Sequence, residues 1–307
     1  MNVTEYKMIK AFRNHWPEYL MEAWGLGTFM VAACIGTAIL WHPESPVEHW
    51  VGGTPQLQRL IMGIAMGLTA IAIVYSPWGK RSGAHINPAL TLTFLRLGTI
   101  TLSDALFYVV FQSIGAIAGV AISWLLLGSF VSMPQVNFAV TVPGEPGVWT
   151  AFVAEVLISA GIMGTVLVTT NKPKIMRFTG VMIGCLIVLY ITFEAPLSGM
   201  SMNPARTVGS AVIANEWTGW WVYFVAPAIG MFTAAEIYLW TKGKDAVHCA
   251  KLHHTFDVRC IFCGFDPKMM NAKMMHPQVA KPQMMKSKKN TEAVSYTHLT
   301  LPTNREV

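Results

Sequence analysis

This chain carries little charge. Only 12% of its residues are Asp, Glu, Lys or Arg, where soluble domains carry about 25%, and 53% are hydrophobic. The apolar excess is gathered into long runs, which excludes an ordinary soluble domain. Cysteine is scarce too: of five, Cys34 and Cys185 fall inside those runs and Cys249, Cys260 and Cys263 follow the last of them. No pair lies in the connections free of basic residues, so a disulfide framework is excluded. The first 18 residues lack a short apolar core with a small-residue cleavage site, so the first run is expected to direct insertion itself. The runs also lack a chain of Asp, Glu and His, which argues against an ion- or proton-coupled carrier. No acid–base pair stands out to support an enzyme.

What is present reads as an all-α membrane protein with six spans, at about 19–40, 57–75, 105–127, 150–170, 176–193 and 219–240. The net charge of +6 suggests a nucleic-acid partner only until the basic residues are placed. Lys7, Lys10 and Arg13 precede the first span, Lys80 and Arg81 follow the second, Lys172, Lys174 and Arg177 follow the fourth, and Lys242, Lys244 and Lys251 follow the sixth. The connections 41–56 and 128–149 contain neither Lys nor Arg. This distribution predicts cytoplasmic termini and no nucleic-acid role.

Two stretches repeat. Ser82-Gly83-Ala84-His85-Ile86-Asn87-Pro88-Ala89-Leu90-Thr91 is matched by Ser198-Gly199-Met200-Ser201-Met202-Asn203-Pro204-Ala205-Arg206-Thr207. Asn caps helices through its side chain, and Pro suits the first helical position because its missing N–H has no partner there. Each stretch therefore starts a helix. The first has about ten residues before Leu97-Gly98, half of the roughly 20 that a bilayer needs. Two half-helices in oppositely oriented repeats would point their N-termini at one central site, where their partial positive charges repel cations.

The paired Asn-Pro-Ala boxes, the second continuing into Arg206, resemble the aquaporin or major intrinsic protein family of prokaryotic type, from about Glu22 to Trp240. The resemblance implies six spans and two re-entrant half-helices in an inverted repeat. It implies a passive channel, not an enzyme, for water and small neutral solutes, with glycerol- or urea-type cargo as the alternative. A homotetramer in the cell inner (plasma) membrane follows from the same likeness. Asn87, Pro88, Ala89, Asn203, Pro204 and Ala205 would form the pore centre. Arg206 would form the filter and, counted without gaps from the boxes, so would Gly67, Ile191 and Met200. Gly and Ile in place of an aromatic and a His would widen the constriction. Thr207 after Arg206 and the Tyr223-Phe224 pair instead look like water channels. The resemblance places His85 in the pore wall, a loop histidine being the other reading. It gives Glu22 and Glu155 a structural role, accepting hydrogen bonds from the loops; a proton relay is the alternative. The 128–149 connection would drape backbone carbonyls over the pore mouth.

The chain thus divides into an N-terminal tail (1–17), a channel domain (18–240) and a tail (241–293). Cys249, His253, His254, Cys260 and Cys263 supply thiolates and imidazoles in a spacing that fits a zinc knuckle over 249–264. The other reading is free thiols in a flexible tail. Transport itself needs no cofactor. Met269-Met270, Met274-Met275 and Met284-Met285 offer soft ligands for Cu(I), or belong with Lys286 to Lys289 to a disordered basic tail. Residues 294–307 change character again and resemble non-native read-through.

Overall fold

In hydrocarbon a backbone must satisfy its own hydrogen bonds, so apolar runs of bilayer length fold as helices. The computed structural model describes residues 2–267 except 244 and 256. The methionine pairs, Lys286 to Lys289 and residues 294–307 lie outside the described residues. In chain order the helices are α1 (Val3–Trp41), α2 (Pro46–Val51), α3 (Pro55–Tyr75), α4 (Pro77–Ser82), α5 (Pro88–Arg96) and α6 (Leu102–Leu127). They continue as α7 (Ser129–Ser132), α8 (Val148–Thr170), α9 (Thr179–Phe193), α10 (Ala195–Ser198), α11 (Pro204–Ala214) and α12 (Val222–Lys242). Among the described residues there is no strand, and six helices are long and apolar enough to cross a membrane.

The first helix starts well before the apolar run does. Asn2 and Glu5 form a reciprocal capping box, a signal carried by polar residues that hydropathy does not register. The early turns are then held by rings: Phe12 lies 5.3 Å from Phe107 and Tyr19 lies 4.9 Å from Phe107. Pro17 is accommodated inside the helix.

Small residues set the helix pairing. Gly115 and Gly119 of α6 face Ala23 and Gly27 of α1 so closely that neither has room for a Cβ. Ala23 and Gly27 are one turn apart, as are Gly115 and Gly119, so the two helices run parallel. Gly63 and Gly67 of α3 face Val188 and Gly184 of α9 in reverse order. That pair is antiparallel, which puts the C-terminal ends of α3 and α9 on opposite faces of the molecule. The two loops that follow them enter from opposite sides and meet in the middle.

Candidate functional site

Each loop is built by the same local chemistry. Asn87 is extended and caps α5, accepting from Ala89 N at 2.9 Å. Asn203 is extended and caps α11, accepting from Ala205 N at 3.1 Å and Arg206 N at 3.2 Å. The remaining polarity of these side chains joins the loops. Asn87 Nδ2 donates to Met202 O at 2.8 Å, and Asn203 Nδ2 donates to Ile86 O at 2.7 Å. An amide carries two N–H donors, so one on each side chain clamps the boxes together and one remains. Both asparagines line a cavity of about 560 Å³.

The glutamates hold the loops in place. Fully buried Glu22 accepts from Ser82 Oγ, His85 N, Ile86 N and Gln112 Nε2 at 2.6–3.0 Å. Fully buried Glu155 accepts from Ser198 Oγ, Ser201 N and Met202 N at 2.7–2.8 Å. These amides point inward because Ala84, Ile86, Met200 and Met202 all take the left-handed conformation, with φ between 40° and 55°. Non-glycine residues pay for that geometry in conformational energy, and the carboxylates offset the cost by satisfying donors that no regular helix reaches.

Arg206 donates from Nη1 to Ala139 O at 2.6 Å and lines the same cavity. Its acceptor comes from the 128–149 connection, where Asn137, Phe138 and Ala139 are successively left-handed. Ser210 Oγ holds the neighbouring Phe138 carbonyl at 2.7 Å. Val136, Asn137, Ala139, Val140 and Val142 line the cavity, as do Ile191 and Met200.

Gly67 does not. A Cβ there would lie 2.7 Å from the Gly184 carbonyl oxygen, so the position belongs to the contact between α3 and α9 and is corrected out of the filter. The ungapped count passes through α4, a separate short helix between the span and the box. A register error of one residue turns a helical side chain by about 100°. Met66, one residue earlier, faces the cavity, together with Met62 one turn away and Arg59 near the helix start. Arg59 Nε donates to Thr192 O at 3.2 Å. Sequence reasoning missed all three; the lone cation at the head of an apolar run was the available signal for Arg59.

A family model described as Major intrinsic protein matches residues 9–238. The chain belongs to the major intrinsic protein family. Its relatives include Aquaporin NIP2-1 of Oryza sativa subsp. japonica, 32% identical over 244 residues, covering 79% of this chain and 78% of the relative. Aquaporin NIP2-3 of Zea mays is 31% identical over 197 residues, covering 64% of this chain and 63% of the relative; the chain thus spans a little under two thirds of that curated relative's length. The structure of the aquaglyceroporin from Plasmodium falciparum shares the fold, with a TM-score of 0.61 at 19% identity, covering 73% of this chain and 95% of that one.

This major intrinsic protein has a covered mouth on the side of its C-terminal segment. His85 is buried; its Nδ1 pairs with Thr91 Oγ1 at 3.1 Å and its Nε2 donates to Ala250 O at 2.7 Å. Its ring stacks between Phe94 and Phe262, at 5.1 and 5.4 Å. Leu252 joins the cavity lining. The same segment gathers Cys249, His254, Cys260 and Cys263, whose ligand atoms all lie within 4.8 Å of one another. His253 stays outside that group and packs edge-on against Tyr75 at 4.9 Å. Lys251 is buried and donates to Arg259 O at 2.8 Å. Burial pushes its ammonium down from the ordinary lysine value, and the Cys260, Cys249 and Cys263 thiols oppose that shift.

Proposed function

We propose that this chain is a passive transmembrane channel for water and small neutral solutes that excludes ions and protons. The observation that carries the reading is one cavity bounded at its centre by two half-helix N-termini, with Asn87, Asn203 and Arg206 in its wall. Helix N-termini and a fixed guanidinium repel cations there. Carbonyls from the 136–142 segment and the free amide hydrogens offer a neutral molecule acceptors and donors in turn. Glu22 and Glu155 are occupied with backbone and side-chain donors of the loops, which argues against their serving a proton relay.

Glycerol- or urea-type cargo is the second reading. It is favoured by the apolar wall of Ile191, Met200, Met62 and Met66 beside Arg206. The basic residues around the C-terminal-segment mouth support a cytoplasmic position for that side and for both termini. A homotetramer in the plasma membrane, one pore per subunit, completes the proposal. Stopped-flow light scattering on proteoliposomes tests it, comparing osmotic shrinkage with glycerol and urea entry. Water flow well above empty liposomes, with no proton leak, is expected; flow equal to empty liposomes under every condition sinks the channel reading.

A further inference from the structure

The geometry points to a zinc-type metal site formed by Cys249, His254, Cys260 and Cys263 that staples the C-terminal segment as a plug in one mouth of the pore. Three thiolates and one imidazole make a closed tetrahedral set, the ligand type of structural zinc. Zinc–sulfur bonds of about 2.3 Å and zinc–nitrogen bonds of about 2.0 Å put tetrahedral S–S edges near roughly 3.8 Å and S–N edges near roughly 3.5 Å. Cys249 Sγ and Cys260 Sγ lie 3.5 Å apart, and His254 Nε2 lies 3.2 Å from Cys263 Sγ. The four groups are already spaced for one ion. All three cysteines are free of disulfides.

Charge adds a second argument. A divalent ion with three thiolates and a neutral imidazole carries one net negative charge. Lys251, only 1% exposed, is the buried cation beside it, and a buried ammonium needs such a counter-charge.

The ligands flank the residues that close the pore. Between Cys249 and His254 lie Ala250, whose carbonyl takes the His85 hydrogen bond, and Leu252, whose side chain lines the cavity. Between Cys260 and Cys263 lies Phe262, stacked on His85 with the planes 7° apart. Leu252 N donates to Gly83 O at 3.1 Å. His248 N donates to Asn171 Oδ1, and Arg259 Nη2 to Asn14 O. The segment is therefore anchored to α1, to the first box loop and to the turn between α8 and α9. It has neither helix nor strand among its described residues 245–266. A short segment without regular structure depends on a staple to hold its shape. Loaded, the site closes the pore; stripped, it releases the plug.

The regulatory half of this inference rests on the proposed channel activity, and the experiment separates the two. Full-length protein, purified reduced, is assayed for bound metal and for the visible spectrum of tetrahedral thiolate-bound cobalt after exchange. Water permeability is then compared in proteoliposomes made from zinc-loaded and chelator-stripped protein. We expect one metal per chain, lost in Cys260→Ser/Cys263→Ser, and at least a fivefold rise in permeability on stripping that zinc reverses. Phe262→Ala should keep the metal yet conduct when loaded, which distinguishes a plug from a merely stabilising ion. Fast flux with no retained metal overturns the site, as does a Cys249–Cys260 disulfide in its place. Equal permeability of the loaded and stripped forms overturns the plug. An intact cobalt spectrum with no flux in either state overturns the channel reading instead.

Discussion

The two box loops are one design executed twice, and their differences locate the function. In both, a serine (Ser82, Ser198) bonds the span glutamate and a tyrosine hydroxyl (Tyr108, Tyr223) caps that serine's carbonyl at 2.6 Å. In both, a side chain two residues before the asparagine reaches the threonine four residues after it: His85 to Thr91, and Ser201 to Thr207. They differ at four positions, and two of those change the chemistry. The first loop has Leu90 where the second has Arg206, and the large ring of His85 stands where the second loop has the small Ser201. The support is repeated; the charge is not. Each mouth is also covered differently, the second by the left-handed 137–139 segment that feeds a carbonyl to Arg206, and the first by the C-terminal segment stacked on His85.

The largest test of this equivalence removes the shared support. Glu155→Leu leaves two backbone N–H groups and a hydroxyl without an acceptor, at about 1–3 kcal/mol for each buried group. Glu22→Leu strands the same three kinds of donor and removes an acceptor of Gln112 Nε2 as well. Both variants should fail to accumulate as folded protein in detergent; tolerance of one but not the other, seen in a thermal unfolding assay, would break the comparison. Next in size is the contact between α3 and α9. Gly67→Ala drives a Cβ against Gly184 and should cost about 1–3 kcal/mol of stability with selectivity unchanged. Met66→Ala removes a buried side chain that also lines the cavity, so it should lower the unfolding temperature as well but, unlike Gly67→Ala, raise glycerol entry. Measuring both variants by both assays decides which residue faces the lumen. Arg206→Ala isolates the functional difference between the loops, and loss of its fixed charge should raise solute and ion leak about tenfold, equivalent to about 1.4 kcal/mol of barrier. The smallest effect belongs to Ser201→Ala, which deletes the hydroxyl's contacts with Thr207 Oγ1 and Asn203 O for about 1 kcal/mol and should change permeability less than Arg206→Ala does.

What could be read directly from residues was local chemistry. Asn-Pro at a helix start, the length of each half-helix and the six apolar runs follow from capping, the proline ring and bilayer thickness, all of which act within a few residues. The filter was harder. Gly67 and Met66 are neighbours in sequence but point about 100° apart, and only packing against Gly184 decides which of them meets the lumen. Met62 escaped notice because nothing local marks an apolar residue as lumen-facing, whereas Arg59 was marked only by its charge at the head of an apolar run. The start of α1 at Val3 was missed because its signal is a capping box rather than hydropathy.

Sequence by itself determined that the chain is a membrane protein made of two related halves, each carrying a half-helix capped by asparagine. Those properties depend on composition and on interactions between near neighbours. Tertiary structure alone decided that each asparagine gives one of its donors to the opposite loop, that Ala139 supplies the acceptor for Arg206, and that Cys249, His254, Cys260 and Cys263 converge without His253 beside a buried Lys251. Each of these joins groups brought together by the packing of the whole chain, where the cost of leaving a buried polar group unpaired selects the partner.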